Sequence, residues 1–178
     1  MIPNSLVLFC SWSGHTRRAA RIIAEQAGAD LLELRPKEPY PATYAQTVRR
    51  ARREIQAKLR PALHPLAQDW SGYETLFLGT PNWCGTIAPS LASFLYQTMP
   101  ADKNIVPFCT HGGGGAGSIA REIAHYCIGC DVLPLLALRD DGVADWDQAA
   151  ARWLLRVERI LELLRRERSA GAGYPYGP

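Results

Sequence analysis

Three short stretches concentrate the residue types that could do chemistry. Ser11-Trp12-Ser13-Gly14-His15-Thr16 places three hydroxyls and a glycine in six residues, at the start of a helical pattern. Hydroxyls, a tight backbone and the unpaired N–H groups of a helix start converge on one point, which makes an anion site without a lysine. Capping the helix would use one hydroxyl; three point to a phosphate. Pro81-Asn82-Trp83-Cys84-Gly85-Thr86 offers an indole that can lie flat on a planar ligand, next to a glycine whose peptide is free to reorient. Thr110-His111-Gly112-Gly113-Gly114-Gly115 lets backbone donors approach a flat ligand, because no Cβ stands in the way. A protonated His111 would add positive charge there. Taken singly, Trp83 also reads as a core plug and the glycine run as a surface loop. Three such stretches in one small protein favour a site.

The hydrophobic period supplies the elements that must position these loops. Residues 5–10 form a continuous apolar run, the pattern of a strand buried on both faces. A helical pattern covers about 16–27 and ends at Gly28. A short strand follows at 31–34, then a basic helix over about 44–59. Its thin apolar content predicts a surface position, with Arg49, Arg50, Arg52, Arg53 and Arg60 in solvent. A strand at 75–79, a helix from near Pro89, a strand at 104–109, a helix at 118–127 and a strand at 131–138 continue the alternation. The last helix, about 146–168, carries a stripe of Trp146, Ala149, Trp153, Val157, Ile160 and Leu164. Residues 169–178 are rich in Gly and Pro and read as a flexible tail. Five strands alternating with five helices predict one α/β domain over 1–168, built on a doubly wound parallel sheet. Such sheets bind ligands beyond the carboxyl ends of their strands. All three loops leave such ends.

The first loop, SWSGHT, resembles the hydroxyl-x-hydroxyl-Gly-x-Thr loop with which flavodoxins grip the phosphate of FMN. GTPNWCGTIAPSLASFL is similar to the second flavin loop and following helix of the small flavodoxin-like proteins, and PFCTHGGGGAG to their third loop. KEPYPATY followed by ARREIQAKLRP matches the same group, so the resemblance spans nearly the whole domain in the right order. It implies a five-stranded sheet of order 2-1-3-4-5 and FMN as cofactor. The implied phosphate site is Ser11, Ser13, Gly14, His15 and Thr16, with Trp12 in the same loop. Pro81, Asn82, Trp83, Cys84 and Gly85 would meet the isoalloxazine ring and its N5 edge. Thr110, His111, Gly112, Gly113 and Gly114 would meet the N1–C2 side.

Two departures bear on function. Electron-shuttling flavodoxins carry a tyrosine in the third loop and are strongly acidic. This chain has neither feature, and its net charge is +3. Either the ring stays open to a substrate, or Tyr40 or Tyr44 covers it. The expectation is an oxidoreductase passing electrons from NAD(P)H or a reductase to a quinone-like or protein acceptor. The alternatives are an electron carrier or a flavin-free binding module. Related flavoproteins dimerise to cover the ring, which puts a homodimer among the expectations. No side chain stands out as a general acid or base.

Composition sets the remaining bounds. Hydrophobic residues at 47% and charged residues at 21% describe an ordinary globular protein rather than a disordered one. No apolar run reaches the roughly 18 residues that span a bilayer, and the opening MIPNSLVLFCSW lacks the basic region and cleavage site of a signal peptide. The five cysteines, scattered through apolar segments, fit a reducing compartment, so a cytoplasmic location is expected. The basic charge comes largely from two Arg-rich helices without interleaved aromatics, which argues against nucleic acid. Cys127 and Cys130 form a C-x-x-C at a helix end, where packing explains them better than redox chemistry, and no second pair completes a metal site. Cys10 and Arg17 sit where low-molecular-weight phosphatases keep a nucleophile and an arginine, but six residues intervene instead of five.

Overall fold

Along β1 (Ser5–Phe9) every side chain is buried, as its unbroken apolar run requires of a central strand. Successive side chains leave a strand on opposite faces, and the core divides accordingly. Val7 and Phe9, with Phe77, Val106 and Phe108 of neighbouring strands, pack under α1 (His15–Ala27) and α5 (Trp146–Gly171). Leu6 and Leu8, with Leu76, Leu78 and Ile105, pack under α3 (Pro89–Thr98) and α4 (Ile119–Tyr126). The structure, a computed structural model, describes residues 1–140 and 145–171. Most of the tail expected at 169–178 therefore lies outside the described residues.

β1 pairs with β2 (Asp30–Glu33) and β3 (Thr75–Pro81), β3 with β4 (Asn104–His111), and β4 with β5 (Asp131–Val132), all in parallel. The order β2-β1-β3-β4-β5 is the one expected. Among the described residues no helix is long and apolar enough to cross a membrane.

Three expectations need correction. The fifth strand is not continuous: Leu133 to Leu135 interrupt it, and β6 (Leu136–Arg139) resumes the pairing with β4 at Phe108 to His111. Pro134 has no N–H to give a ladder, and its carbonyl instead accepts from Trp153 Nε1 at 2.9 Å. The buried side of α5 centres on Ala150, Trp153, Leu154, Val157 and Leu161, while Ala149, Ile160 and Leu164 flank it; the helix also runs to Gly171. Finally, α2 (Tyr44–Gln56) is not a loose surface helix. It buries Thr47, Ala51 and Glu54. Arg49, Arg52 and Arg53 are exposed as expected, but the Arg50 side chain is only 14% exposed. It donates to Glu54 Oε1 at 2.8 Å and to the Pro39 carbonyl at 3.0 Å, with its guanidinium 4.6 Å from the centre of the Tyr40 ring. Arg60 is half-buried and donates to the Tyr126 hydroxyl.

Candidate functional site

The first loop ends in Gly14, which takes a left-handed conformation (φ +96°) as the residue that opens α1. Neither Ser13 nor Gly14 gives α1 a side-chain cap. The early amides of a helix have no partner inside it. Ser11 Oγ accepts that of Arg17 at 3.2 Å, and among the described residues the amides of His15 and Thr16 have no acceptor. Ser13 is exposed beside them and no acidic residue occupies the first turn. The positive end of the helix dipole is therefore open at this point, where an anion gains about 0.3–1 kcal/mol, more if partly buried. Thr16 is different. Its side chain is buried, and its hydroxyl shares a 2.8 Å hydrogen bond with that of Thr110, tying the first loop to the third.

The second loop is a tight hairpin. Trp83 and Thr86 exchange both backbone hydrogen bonds at 3.1 Å, with Cys84 (φ +54°) and Gly85 (φ +84°) at the corner. Two consecutive positive φ values define a type I′ turn. Asn82 clasps this turn to the third loop. Its Oδ1 accepts from Gly85 N at 2.8 Å, its Nδ2 donates to Gly115 O at 2.6 Å, and its own amide donates to Thr110 O at 2.8 Å. Gly117 closes the contact from below: a Cβ there would lie 2.2 Å from Gly85 O. Asn82 thus acts as a positioning residue, with its side-chain groups already committed.

In the third loop, Gly112, Gly113 and Gly114 are exposed. His111 Nδ1 accepts from Gly113 N at 3.1 Å, which fixes the ring against the loop backbone.

These loops enclose a cleft of about 530 Å³ at the carboxyl ends of β1, β3 and β4, inside the range of small-molecule sites. Trp12, Ser13 and His15 line it from the first loop, Asn82, Trp83 and Cys84 from the second, and Thr110, His111 and Gly112 from the third. Ser11 and Pro81 face a neighbouring pocket instead. Of the fourth wall, sequence reasoning named Tyr44 alone. Tyr44, Val48 and Ala51 of α2 line the cleft with Thr47 and Arg52. Their spacing of i, i+4 and i+7 is a one-face helical pattern that could have revealed it. It also missed Asp140, whose Oδ2 lies 3.0 Å from His15 Nε2 just past β6. Of the two tyrosines considered as covers, Tyr44 lines the cleft and is 73% exposed. Tyr40 does not line it; it stands edge-on to Trp83 with ring centres 4.7 Å apart and donates to Glu54 Oε2 at 2.6 Å. Burial, then the Glu54 carboxylate, pushes its phenol well above the usual range.

The cleft therefore brings Ser13 and His15 of the α1 start together with the aromatic side chains of Trp12, Tyr44 and Trp83 and with Gly112. The Flavodoxin_4 family model, flavodoxin by description, matches residues 4–146. The chain belongs to the flavodoxin family. Solved structures agree with this assignment. A Lactobacillus acidophilus flavoprotein in complex with FMN is 27% identical, with a TM-score of 0.66 over 78% of this chain and 93% of that one. A Bacteroides eggerthii protein provisionally named a flavoprotein is 26% identical, with a TM-score of 0.72 over 84% of this chain and 94% of that one. A Fusobacterium nucleatum flavodoxin bound to flavin mononucleotide shares the fold at 12% identity, with a TM-score of 0.56 over 87% and 96%. No match is found among the curated proteins. Within this flavodoxin, burial raises the Cys10 thiol to about 12, and Arg17 pairs with Glu33 at 2.5 Å. A phosphatase-like reading thereby loses its thiolate and its free guanidinium.

Proposed function

We propose that this flavodoxin binds FMN in the strand-end cleft and works as an FMN-dependent oxidoreductase, passing electrons from NAD(P)H or a reductase to a quinone-like or protein acceptor. One observation carries the proposal: Ser13 and His15, at the start of α1 where two amides have no acceptor, line the same cleft as Trp83 and Gly112. The residues present fit the cofactor. A phosphoryl group suits the start of α1, with Ser13, Gly14 and the two amides as donors. A planar ring suits the aromatic and glycine walls. Ser11 and Thr16 contribute as supports of the loop, since Ser11 Oγ holds the Arg17 amide and Thr16 holds Thr110. When bound, FMN supplies one- and two-electron transfer; the protein supplies position and field. Trp12, Trp83 and Tyr44 give the cleft its aromatic walls, and His111 lines it beside Gly112. The third loop has no aromatic residue, which leaves room for a substrate and favours an enzyme over a carrier. A reducing, cytoplasmic setting suits the five free cysteines.

Titration of the purified chain with FMN, followed by flavin absorbance and fluorescence, tests the site. The expected result is saturable binding, with Ser13→Ala weakening it about tenfold through loss of one hydrogen bond to a charged oxygen. Binding untouched by that change would remove the site assignment. Bleaching of the bound flavin by NADPH is expected of a reductase; colour without bleaching would assign the chain to carriers.

A further inference from the structure

We propose that the pocket behind the two tryptophans is a second binding site, for a small planar aromatic anion. This inference stands apart from the flavin reading, because none of its arguments needs FMN. The pocket has a volume of about 380 Å³ and is separated from the strand-end cleft by Trp12 and Trp83, which line both. Its walls are plates: the two indoles, the Tyr40 ring, and Pro36 and Pro39. The indoles are anchored, Trp12 by donating to the Pro41 carbonyl at 3.0 Å and Trp83 by its edge contact with Tyr40. Flat apolar walls select a flat ligand.

Charge at the rim selects its sign. Glu33 is 11% exposed in its side chain and gives each oxygen to a different arginine. Arg17 Nη2 reaches Oε1 at 2.5 Å, and Arg35 reaches Oε2 through Nε at 3.0 Å and Nη2 at 2.8 Å. One carboxylate cannot neutralise two guanidiniums, and Lys37, on the same rim, makes no ion pair among the described residues. Three cations therefore face one anion. The segment that carries them is fixed: Lys37 N donates to Ala62 O at 2.8 Å and His64 N to Arg35 O at 2.9 Å. An aromatic carboxylate fits both halves, its ring between the plates and its oxygens on the spare donors of Arg17, Arg35 and Lys37.

Calorimetric titration of the full chain with naphthalene-2-carboxylate and with its neutral amide, naphthalene-2-carboxamide, tests this with and without FMN. The acid is expected to bind one to one and about tenfold more tightly than the amide. The double variant Arg35→Gln/Lys37→Gln, changed only at exposed side chains, is expected to lose about that tenfold for the acid and to keep amide and FMN binding. No binding of the acid, equal binding of acid and amide, or acid binding indifferent to the double variant would overturn the proposal. Displacement of the acid by FMN would overturn it too, making the pocket a lobe of the flavin cleft. A chain that takes the acid but never FMN would sink the flavin reading and keep this one.

Discussion

Thr16 shows how far a single side chain can differ from the role its motif suggests. Its position in SWSGHT marks it as a phosphate ligand, yet its hydroxyl is buried against Thr110, 94 residues along the chain. A contact of that span leaves no local signal, whereas the hydroxyl-rich composition of the loop does. The pair makes a measurable prediction. Thr16→Val leaves the Thr110 hydroxyl buried without a partner, at a cost of about 1–3 kcal/mol. Thr16→Val/Thr110→Val removes both groups and is expected to recover most of it. Urea unfolding of the four species would show a coupling of about 1 kcal/mol; additive losses would mean the two hydroxyls do not interact. Tyr40 follows the same logic, since its partner Glu54 lies on the next helix and only folding brings them together.

Among elements, the hairpin of the second loop carries local strain at the edge of the cleft. Cys84 holds a left-handed conformation that costs an ordinary residue about 1–2 kcal/mol, and Asn adopts it more readily. Cys84→Asn is expected to raise stability by about 0.5–1 kcal/mol, and Gly85→Ala to lower it by about 1 kcal/mol, both read from urea midpoints. A neutral Gly85→Ala would show that the turn relaxes. The glycine of this turn was legible in GTPNWCGT, and so was the helix start after SWSG, because turns and helix starts are written in a few adjacent residues. The wall formed by α2 was not. Its polar stretch reads as a solvated face until Arg50 is seen folding onto Tyr40, Glu54 and the Pro39 carbonyl. Polar residues buried in pairs look like surface residues in sequence.

For the whole molecule, the two-sided core follows from central strands apolar on both faces, and those runs were plain in the sequence, whereas the sheet order was implied by the family resemblance. Burial within that core has a consequence at alkaline pH. The thiols of Cys10, Cys109 and Cys127 ordinarily titrate near 9, and desolvation pushes each to about 12. Below pH 9 both folded and unfolded chains keep these protons. Above it the unfolded chain releases them first, so stability falls as pH rises toward 12. Tyr40 acts in the same direction from about pH 10. The urea midpoint is expected to drop steadily between about pH 9 and pH 11, and a level midpoint would mean the thiols ionise freely in the folded protein. The interrupted strand at the far side of the sheet has a different consequence. With Pro134 between a two-residue and a four-residue piece, the outer margin offers an incoming chain no continuous template for strand addition. Pro134→Val would restore an unbroken row of donors, and crowded solutions of that variant should scatter light on warming where the parent stays clear.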